Sequence, residues 1–393
     1  MKEFEFFGVG RVVFGRGQFA RAGEIAASLG RRALLVYNGD DLGKGGALDR
    51  LAVSLPGAPL HRQRGEPTVS DVDRALTAAR EAGCDCVVAL GGGSAIDAAK
   101  AVAGLLANGG AALDYMEVVG KGQKITKPAL PWMAIPTTAG TGAEATRNAV
   151  IGLPEKKFKA SIRSELLLPR VALIDPEIQA NVPPNVTASS GMDALCQLIE
   201  SYTSTGANPM TDALALRGIA LASRSLRRAF ADANDVAARE DMALAALLSG
   251  MTLTSAGLGA VHGFAAPLGA NFPVPHGTVC AALLPHVIDA NAAAARATSV
   301  EHPVLSRYAT IGRTLAGEES LSDAHGVDRA ISATASLARD LRIPPLSTFG
   351  LSSQTVPEMV ALAKRASSMR FNPVPLGDDA LARVLERGIA GVV

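Results

Sequence analysis

Between residues 31 and 176 short apolar runs alternate with helical patterns, and this alternation narrows the fold more than any other feature of the 393-residue chain. RRALLVYN (31–38), CDCVVALGGG (84–93), PWMAIPTT (131–138) and VALIDP (171–176) each read as a short, continuously apolar strand. VSDVDRALTAAREAG (69–83) and SAIDAAKAVAGLLAN (94–108) carry helical spacing between them. Strands apolar at every position are buried on both faces, which points to a parallel sheet covered by helices. After PPNVTASSG (183–191) the pattern becomes Ala/Leu-rich and helical, with few β-branched runs. A chain of this length exceeds one small core. We therefore expect an α/β domain over residues 1–180 and an all-helical domain over 181–393, with the boundary near Asn181.

The net charge of +1 gives no reason to expect nucleic acid or a membrane surface as partner. Cys84, Cys86, Cys196 and Cys280 are few and irregularly spaced, which fits a reducing, cytoplasmic setting and no thiolate zinc site. Cys84 and Cys86, two apart in a strand, should face opposite ways. The N-terminus, MKEFEFFGVGRVVFG, does not read as a signal peptide. MALAALLSGMTLTSAGLGAV (242–261) mimics a membrane span in length and hydropathy. Its Ser, Thr and Gly content and the preceding Glu240 and Asp241 favour a helix buried on all sides.

In VVALGGGSAIDAAKAVAGLL a strand runs into Gly91-Gly92-Gly93-Ser94 and then a helix. Glycines allow a sharp turn and a close ligand approach, and the N–H groups and dipole of the helix start suit a pyrophosphate. Ile96 stands where GxGxxG would place its third glycine, and no Gly-Lys-Ser/Thr follows as in a P-loop. A tight turn without ligand is the plain alternative. A second loop, IPTTAGTGAEATRNAVI (135–151), adds the Thr137, Thr138 and Thr141 hydroxyls; two such loops at neighbouring strand ends would grip a diphosphate from two sides.

No Asp, Glu, Lys or Arg occurs from Met242 to Ile288, yet His262 and His276 lie in that stretch. Alone, each would be a hydrogen-bonded core histidine, as His286 is expected to be. His61, His302 and His325 lie in polar surroundings and read as surface residues. In GMDALCQLIE (191–200), Asp193 and Gln197 share a helix face, and Asp193 alone would be a helix-start acid. One carboxylate with two imidazoles is also a suitable set for Zn²⁺ or Fe²⁺.

Together these motifs resemble the iron-containing (group III) alcohol dehydrogenase family. The matching pieces run in the family's order along nearly the whole chain: FGRGQ, GGGSAIDAAK, PTTAGTGAEAT, LLLPRVALIDPE, GMDAL, VHG, PHG with LLPHV, and FNPVPL. The resemblance implies a dehydroquinate synthase-like architecture, with a Rossmann-like dinucleotide-binding domain, an all-α domain and a cleft between them. It implies NAD- or NADP-dependent interconversion of an alcohol and an aldehyde or ketone at a divalent metal, Fe²⁺ or Zn²⁺. On it, Gly91, Gly92, Gly93 and Ser94 hold the pyrophosphate, Asp97 faces the cofactor, and Lys100 completes the motif. Thr137, Thr138 and Thr141 line the phosphates and nicotinamide, and Lys159 sits at the nicotinamide ribose. Asp193, His262 and His276 bind metal, with Gln197 as a fourth ligand through its amide oxygen. Asp193, His262, His276 and Lys159 form the catalytic group. We expect a small alcohol or aldehyde as partner and a homodimer or larger homo-oligomer.

The chain departs from the family pattern at four places. Gln197 replaces a metal-binding His, Ala266 a candidate proton-carrying His, and Ala143 the Ser of GTGSE. Asn38 stands where NAD-preferring members often carry a ribose-binding Asp; Asn38 leaves NADP open, although Asp40 and Asp41 disfavour it. Maleylacetate reductases and hydroxyacid–oxoacid transhydrogenases are relatives with acidic substrates, for which Arg147 and Arg370 are candidate partners. A dehydroquinate synthase-like lyase would need basic residues for a phosphate-bearing substrate. Lys156, Lys157, Lys159 and Arg163 form such a cluster, but a solvated basic turn is the simpler reading. A dinucleotide-binding protein with weakened catalysis is the third alternative.

Overall fold

The computed structural model describes residues 3–39, 46–180 and 182–392. The chain divides into two compact units, Phe7–Val182 and Pro183–Val393, the latter together with Met1–Phe6. Asn181, Asp40 and Asp41 lie outside the described residues.

The first unit is built on a six-stranded sheet. Its strands are β1 (Val12–Phe14), β2 (Ala33–Tyr37), β3 (Leu60–Arg62), β4 (Cys86–Gly91), β5 (Trp132–Pro136) and, later in the chain, β8 (Val171–Ile174). They lie in the order β1-β8-β5-β4-β2-β3, and every pairing is parallel. β6 (Asn148–Leu153) and β7 (Phe158–Arg163) form a separate antiparallel hairpin. Helices α1 (Ala22–Leu29), α2 (Ala47–Ser54), α3 (Val69–Glu81), α4 (Gly93–Asn108) and the short α5 (Ala112–Tyr115) complete the unit. Two separate cores form, and Cys84 packs in one while Cys86 packs in the other, as alternation along an extended chain requires. α3 starts at a capping box in which Thr68 and Asp71 satisfy each other's backbone N–H groups. α4 is rich in Ala on its buried positions, which allows close packing against β4 and α3. The chain leaves β2 toward the β3 edge and returns at β4 on the other side. The C-terminal ends of β2 and β4 therefore make the switch point where α/β sheets bind ligands.

The second unit is helical, from α6 (Pro184–Thr203) and α7 (Pro209–Ala231) through α8 (Val236–Ala256), α9 (Ala260–Asn271) and α10 (His276–Thr298). It ends with α11 (Pro303–Ala316), α12 (Asp323–Asp340), α13 (Val356–Arg365) and α14 (Asp378–Ala390). α6 packs on α7, α8 and α10 and is buried almost completely from Gly191 to Thr203. The span-like stretch 242–261 is not one helix. α8 stops at Ala256, Gly257 takes a left-handed conformation (φ 77°), and α9 leaves at a bend of 102°. α10 is also long and apolar, but 78% of its most apolar window is buried inside the protein. His286 is buried within α10, yet neither ring nitrogen has a hydrogen-bond partner, unlike the hydrogen-bonded core histidine expected. Burial first, then Arg387, lowers it to about 4, so it is neutral. His61 is half-buried in β3 with its Nε2 enclosed, because the edge strand turns that ring inward; a surface role does not describe it. His325 is exposed, and His302 caps α11 by accepting the Val304 N–H.

Candidate metal centre and glycine turn

At the switch point the Asn38 side chain spans the glycine turn. Its oxygen accepts the Gly92 N–H at 2.8 Å and its amide donates to Ser94 Oγ at 2.6 Å. This pins the end of β2 to the start of α4. A Cβ on Gly91 would collide with the Asn38 oxygen, and one on Gly93 would meet Thr141 Oγ1 at 2.8 Å. Thr138 Oγ1 lies 3.2 Å from where a Gly92 Cβ would stand. The two Gly/Thr loops thus converge, because β4 and β5 are paired neighbours and Thr137 N–H bonds the Gly91 carbonyl. α4 begins here with no acidic residue in its first turn, which suits an anion at its N-terminus.

Asp97 and Lys100 brace this arrangement from the next turn. Lys100 is fully buried and donates to Thr146 Oγ1 at 2.6 Å, the Asn148 carbonyl at 2.7 Å and Asp97 Oδ1 at 3.3 Å. The other Asp97 oxygen accepts the Val150 N–H. Burial pushes the Lys100 ammonium down and the Asp97 carboxyl up, and their mutual attraction offsets part of each shift. Glu144, also buried, is raised to about 7 by burial, with Lys100 pulling the other way. One Asp97 oxygen thus holds β6 directly, and the other holds it through Lys100. Lys159, on β7, pairs with Glu66, and Arg163 pairs with Glu117 at 3.1 Å. The basic run 156–163 is therefore a hairpin turn leading into a strand, not a solvated turn throughout.

In the helical unit, Asp193 sits on α6, His262 in the first turn of α9, and His276 opens α10. His262 Nε2 is 3.2 Å and His276 Nε2 is 3.6 Å from Asp193 Oδ1, and the two ring centroids are 5.4 Å apart. Cys280 belongs to the same cluster, with Sγ 3.7 Å from His262 Nε2. One donor atom from each of these four residues lies within 4.8 Å of all the others. Asp193 and His262 are buried, whereas the His276 side chain is 38% exposed, which leaves the cluster open on that side. Gly277 allows this meeting: a Cβ there would collide with the Ser189 carbonyl of α6.

Glu200, two helical turns after Asp193, holds His262 from behind. Its carboxylate accepts from His262 Nδ1 at 2.6 Å and from the Val261 N–H at 2.7 Å. Glu200 thereby holds a ring proton at Nδ1 and turns Nε2 toward Asp193 and Cys280; carboxylate–imidazole–metal centres share this arrangement. Asn372, from the FNPVPL segment, accepts the Ala260 N–H at 3.1 Å and donates to Asn291 Oδ1 at 2.7 Å. Glu200 and Asn372 together satisfy the N-terminal donors of α9.

Burial pushes the Asp193 carboxyl up, but His276 and His262 outweigh it and leave Asp193 below its usual range. Burial disfavours charge on His276, but Cys280 and Asp193 more than compensate and carry it up to about 9. Burial pushes the Cys280 thiol well up and Cys196 to about 12. Gln197 is buried on α6, and its amide oxygen accepts from Ser249 Oγ at 2.7 Å. Arg147 stacks over Phe7 and Arg370 over Phe371, in different units.

Sequence reading had singled out Asp193, His262 and His276, and the fold brings them together. It missed Glu200, Asn372, Cys280 and Glu66. Glu200 had a visible signal, a lone acid seven residues after Asp193 on the same helix face.

A parallel α/β unit with a glycine turn at its switch point, and a helical unit carrying a carboxylate–imidazole cluster, define a dinucleotide-linked, metal-containing oxidoreductase. The chain belongs to the iron-containing alcohol dehydrogenase family: residues 10–176 match the iron-containing alcohol dehydrogenase model and 187–389 match the family's C-terminal model. Alcohol dehydrogenase 4 of Schizosaccharomyces pombe is 35% identical over 94% of this chain and 86% of its own. A crystal structure of 1,3-propanediol oxidoreductase superposes with a TM-score of 0.89 at 32% identity, covering 98% of this chain and 100% of its own. Sulfoacetaldehyde reductase from Bifidobacterium kashiwanohense, solved with NAD⁺, gives a TM-score of 0.86 at 28% identity, covering 99% and 100%.

Proposed function

We propose that this alcohol dehydrogenase uses NAD with a divalent cation held by Asp193, His262 and His276, and oxidises small alcohols or reduces the matching aldehydes. The observation that carries this reading is the convergence of those three donors, with Glu200 fixing the His262 tautomer. When bound, the cation supplies a Lewis acid for the substrate oxygen, and the nicotinamide exchanges hydride with the carbon that bears it. Asp193 contributes the buried negative charge, and His262 presents Nε2 because Glu200 keeps the proton on Nδ1. Gly91, Gly92 and Gly93 keep the turn clear of side chains, so that the pyrophosphate can approach the start of α4. Asn38 acts by bracing that turn. Thr137, Thr138 and Thr141 are proposed along the cofactor, supported by the convergence of the threonine loop on the glycine turn, and Lys159, which pairs with Glu66, at the nicotinamide ribose on the family resemblance.

NAD over NADP is supported by the NAD⁺ complex of the related reductase and by the acids Asp40 and Asp41 that follow Asn38 in sequence. A lyase acting on a phosphate-bearing substrate is disfavoured because Arg163 pairs with Glu117 and Lys156 and Lys157 stand exposed on the turn between β6 and β7. A cytoplasmic location is supported by four buried free cysteines, and cell fractionation tests it. We also propose a homodimer or larger homo-oligomer, which light scattering reads directly. Thermal shift with NAD or NADP, each with and without Zn²⁺ or Fe²⁺, tests the ligand set. NAD and metal should each raise the melting temperature; stabilisation by NADP alone, or by neither metal, contradicts the proposal.

A further inference from the structure

We propose that Cys280, rather than Gln197, is the fourth protein ligand of the metal, making an Asp193–His262–His276–Cys280 site suited to Zn²⁺ over Fe²⁺. This rests on the metal reading above and specifies its donor set.

The geometry favours sulfur. Donors spaced about an ion as at tetrahedral corners, with metal–nitrogen and metal–oxygen bonds of about 2.0 Å and a metal–sulfur bond of about 2.3 Å, lie roughly 3.3–3.6 Å apart, and a substrate oxygen would join such a shell as a fifth ligand. Three of the six separations are 3.2 Å between Asp193 and His262, 3.6 Å between Asp193 and His276, and 3.7 Å between His262 and Cys280, and the other three are within 4.8 Å. Cys280 lies one helical turn after His276 on α10, so one helix face presents both donors. Its sulfur meets His262 at Nε2, the nitrogen that Glu200 leaves free to bind.

Gln197 is the poorer candidate by donor chemistry, whichever way its amide is turned. Its oxygen is the acceptor for Ser249, which leaves the amide NH₂, a group that binds no cation, as its other face. Turning the amide over would free the oxygen but set the NH₂ against Ser249, whose hydroxyl can then donate to the Ala246 carbonyl instead. The amide oxygen, even so turned, is a weaker donor than a thiolate for Zn²⁺.

The consequence is a change of metal preference. A thiolate softens a carboxylate–imidazole site and selects Zn²⁺ over Fe²⁺ and Mn²⁺. The ion also deprotonates the thiol it binds, and that proton leaves to solvent. Cys196 approaches the other ring nitrogen of His262, 4.0 Å from Nδ1, where Glu200 already holds the proton, so it is not the sulfur in question.

The test loads the full-length enzyme with Co²⁺ and separately with Zn²⁺, without substrate. The wild type should show a thiolate-to-cobalt charge-transfer band, and zinc X-ray absorption should show one sulfur at about 2.3 Å. Cys280→Ser should abolish both and weaken Zn²⁺ at least about tenfold, while Gln197→Ala keeps both. Metal bound at one equivalent without a sulfur neighbour overturns the assignment of Cys280 and leaves the metal reading standing. Loss of metal in Gln197→Ala with retention in Cys280→Ser also overturns it. No metal bound by the wild type at all overturns both. The wild-type spectra decide the matter even if Cys280→Ser fails to fold.

Discussion

Replacing Glu200 by Gln changes one oxygen for an NH₂ group and removes one buried charge. The carboxylate accepts from His262 Nδ1 at 2.6 Å on one oxygen and from the Val261 N–H at 2.7 Å on the other. A glutamine satisfies only one of these donors. If its oxygen faces His262, its NH₂ confronts the Val261 N–H, and α9 loses a cap. If it faces Val261, the NH₂ meets Nδ1, the imidazole proton moves to Nε2, and His262 can no longer bind a cation. The first orientation leaves a buried donor unpaired, at about 1–3 kcal/mol. In a helical unit of this size 2 kcal/mol lowers the melting temperature by about 4–8 °C. The second removes a ligand. Loss of the partner that orients a metal-binding imidazole weakens metal about 10–100-fold, or about 1.4–2.7 kcal/mol. Zn²⁺ competition against a chromophoric chelator, with the melting curve of the metal-free protein alongside, measures both effects. Glu200→Gln should therefore lower stability in the first orientation or metal affinity in the second. A variant that melts like the wild type and binds Zn²⁺ as tightly would refute the role given to Glu200.

Other perturbations probe the rest of the fold. Lys100→Ala leaves the partly buried Asp97 without its cation and should cost about 3 kcal/mol in urea unfolding, whereas Lys100→Met, which fills the space, should cost less. Glu144 has its pKa raised by burial to about 7, so the stability it contributes is complete below its unfolded value near 4.5 and is lost as pH rises through about 7. Glu144→Gln should therefore flatten the fall in unfolding free energy between pH 5 and pH 8, by up to about 3 kcal/mol; an unchanged slope counts against it. Gly93→Ala places a Cβ against Thr141 and should weaken NAD, read by cofactor fluorescence, while leaving Zn²⁺ binding intact. Asn372→Ala strands the Ala260 N–H and the Asn291 amide and should destabilise the helical unit by about 1–3 kcal/mol in thermal melts.

The sheet was legible because β2, β4, β5 and β8 are apolar at nearly every position, a pattern that only a doubly covered strand tolerates. β1 and β3, three residues each, are too short to show a period, and the β6–β7 hairpin is interrupted by Gly152 and by Lys156 and Lys157. The bend between α8 and α9 was hidden for the opposite reason. A stretch with no charged residue from Met242 to Ile288 offers no polar face against which to read a helix end. Asp193, His262 and His276 stood out as polar residues in apolar surroundings. Cys280 did not, because a buried cysteine has the composition of a core residue. Asn38 was expected at the cofactor, but which atoms its amide would bond is a matter of geometry, and the fold spends both on Gly92 and Ser94.

If Asp193, His262 and His276 hold the ion on which alcohol oxidation depends, activity must follow that ion. NAD reduction with a panel of primary alcohols, measured on enzyme stripped by a chelator and then restored with Zn²⁺ or Fe²⁺, tests it most directly. Turnover should vanish on chelation, return with the metal, and stay absent in Asp193→Ala at any metal concentration. Full activity in the stripped enzyme, or in Asp193→Ala, would contradict it.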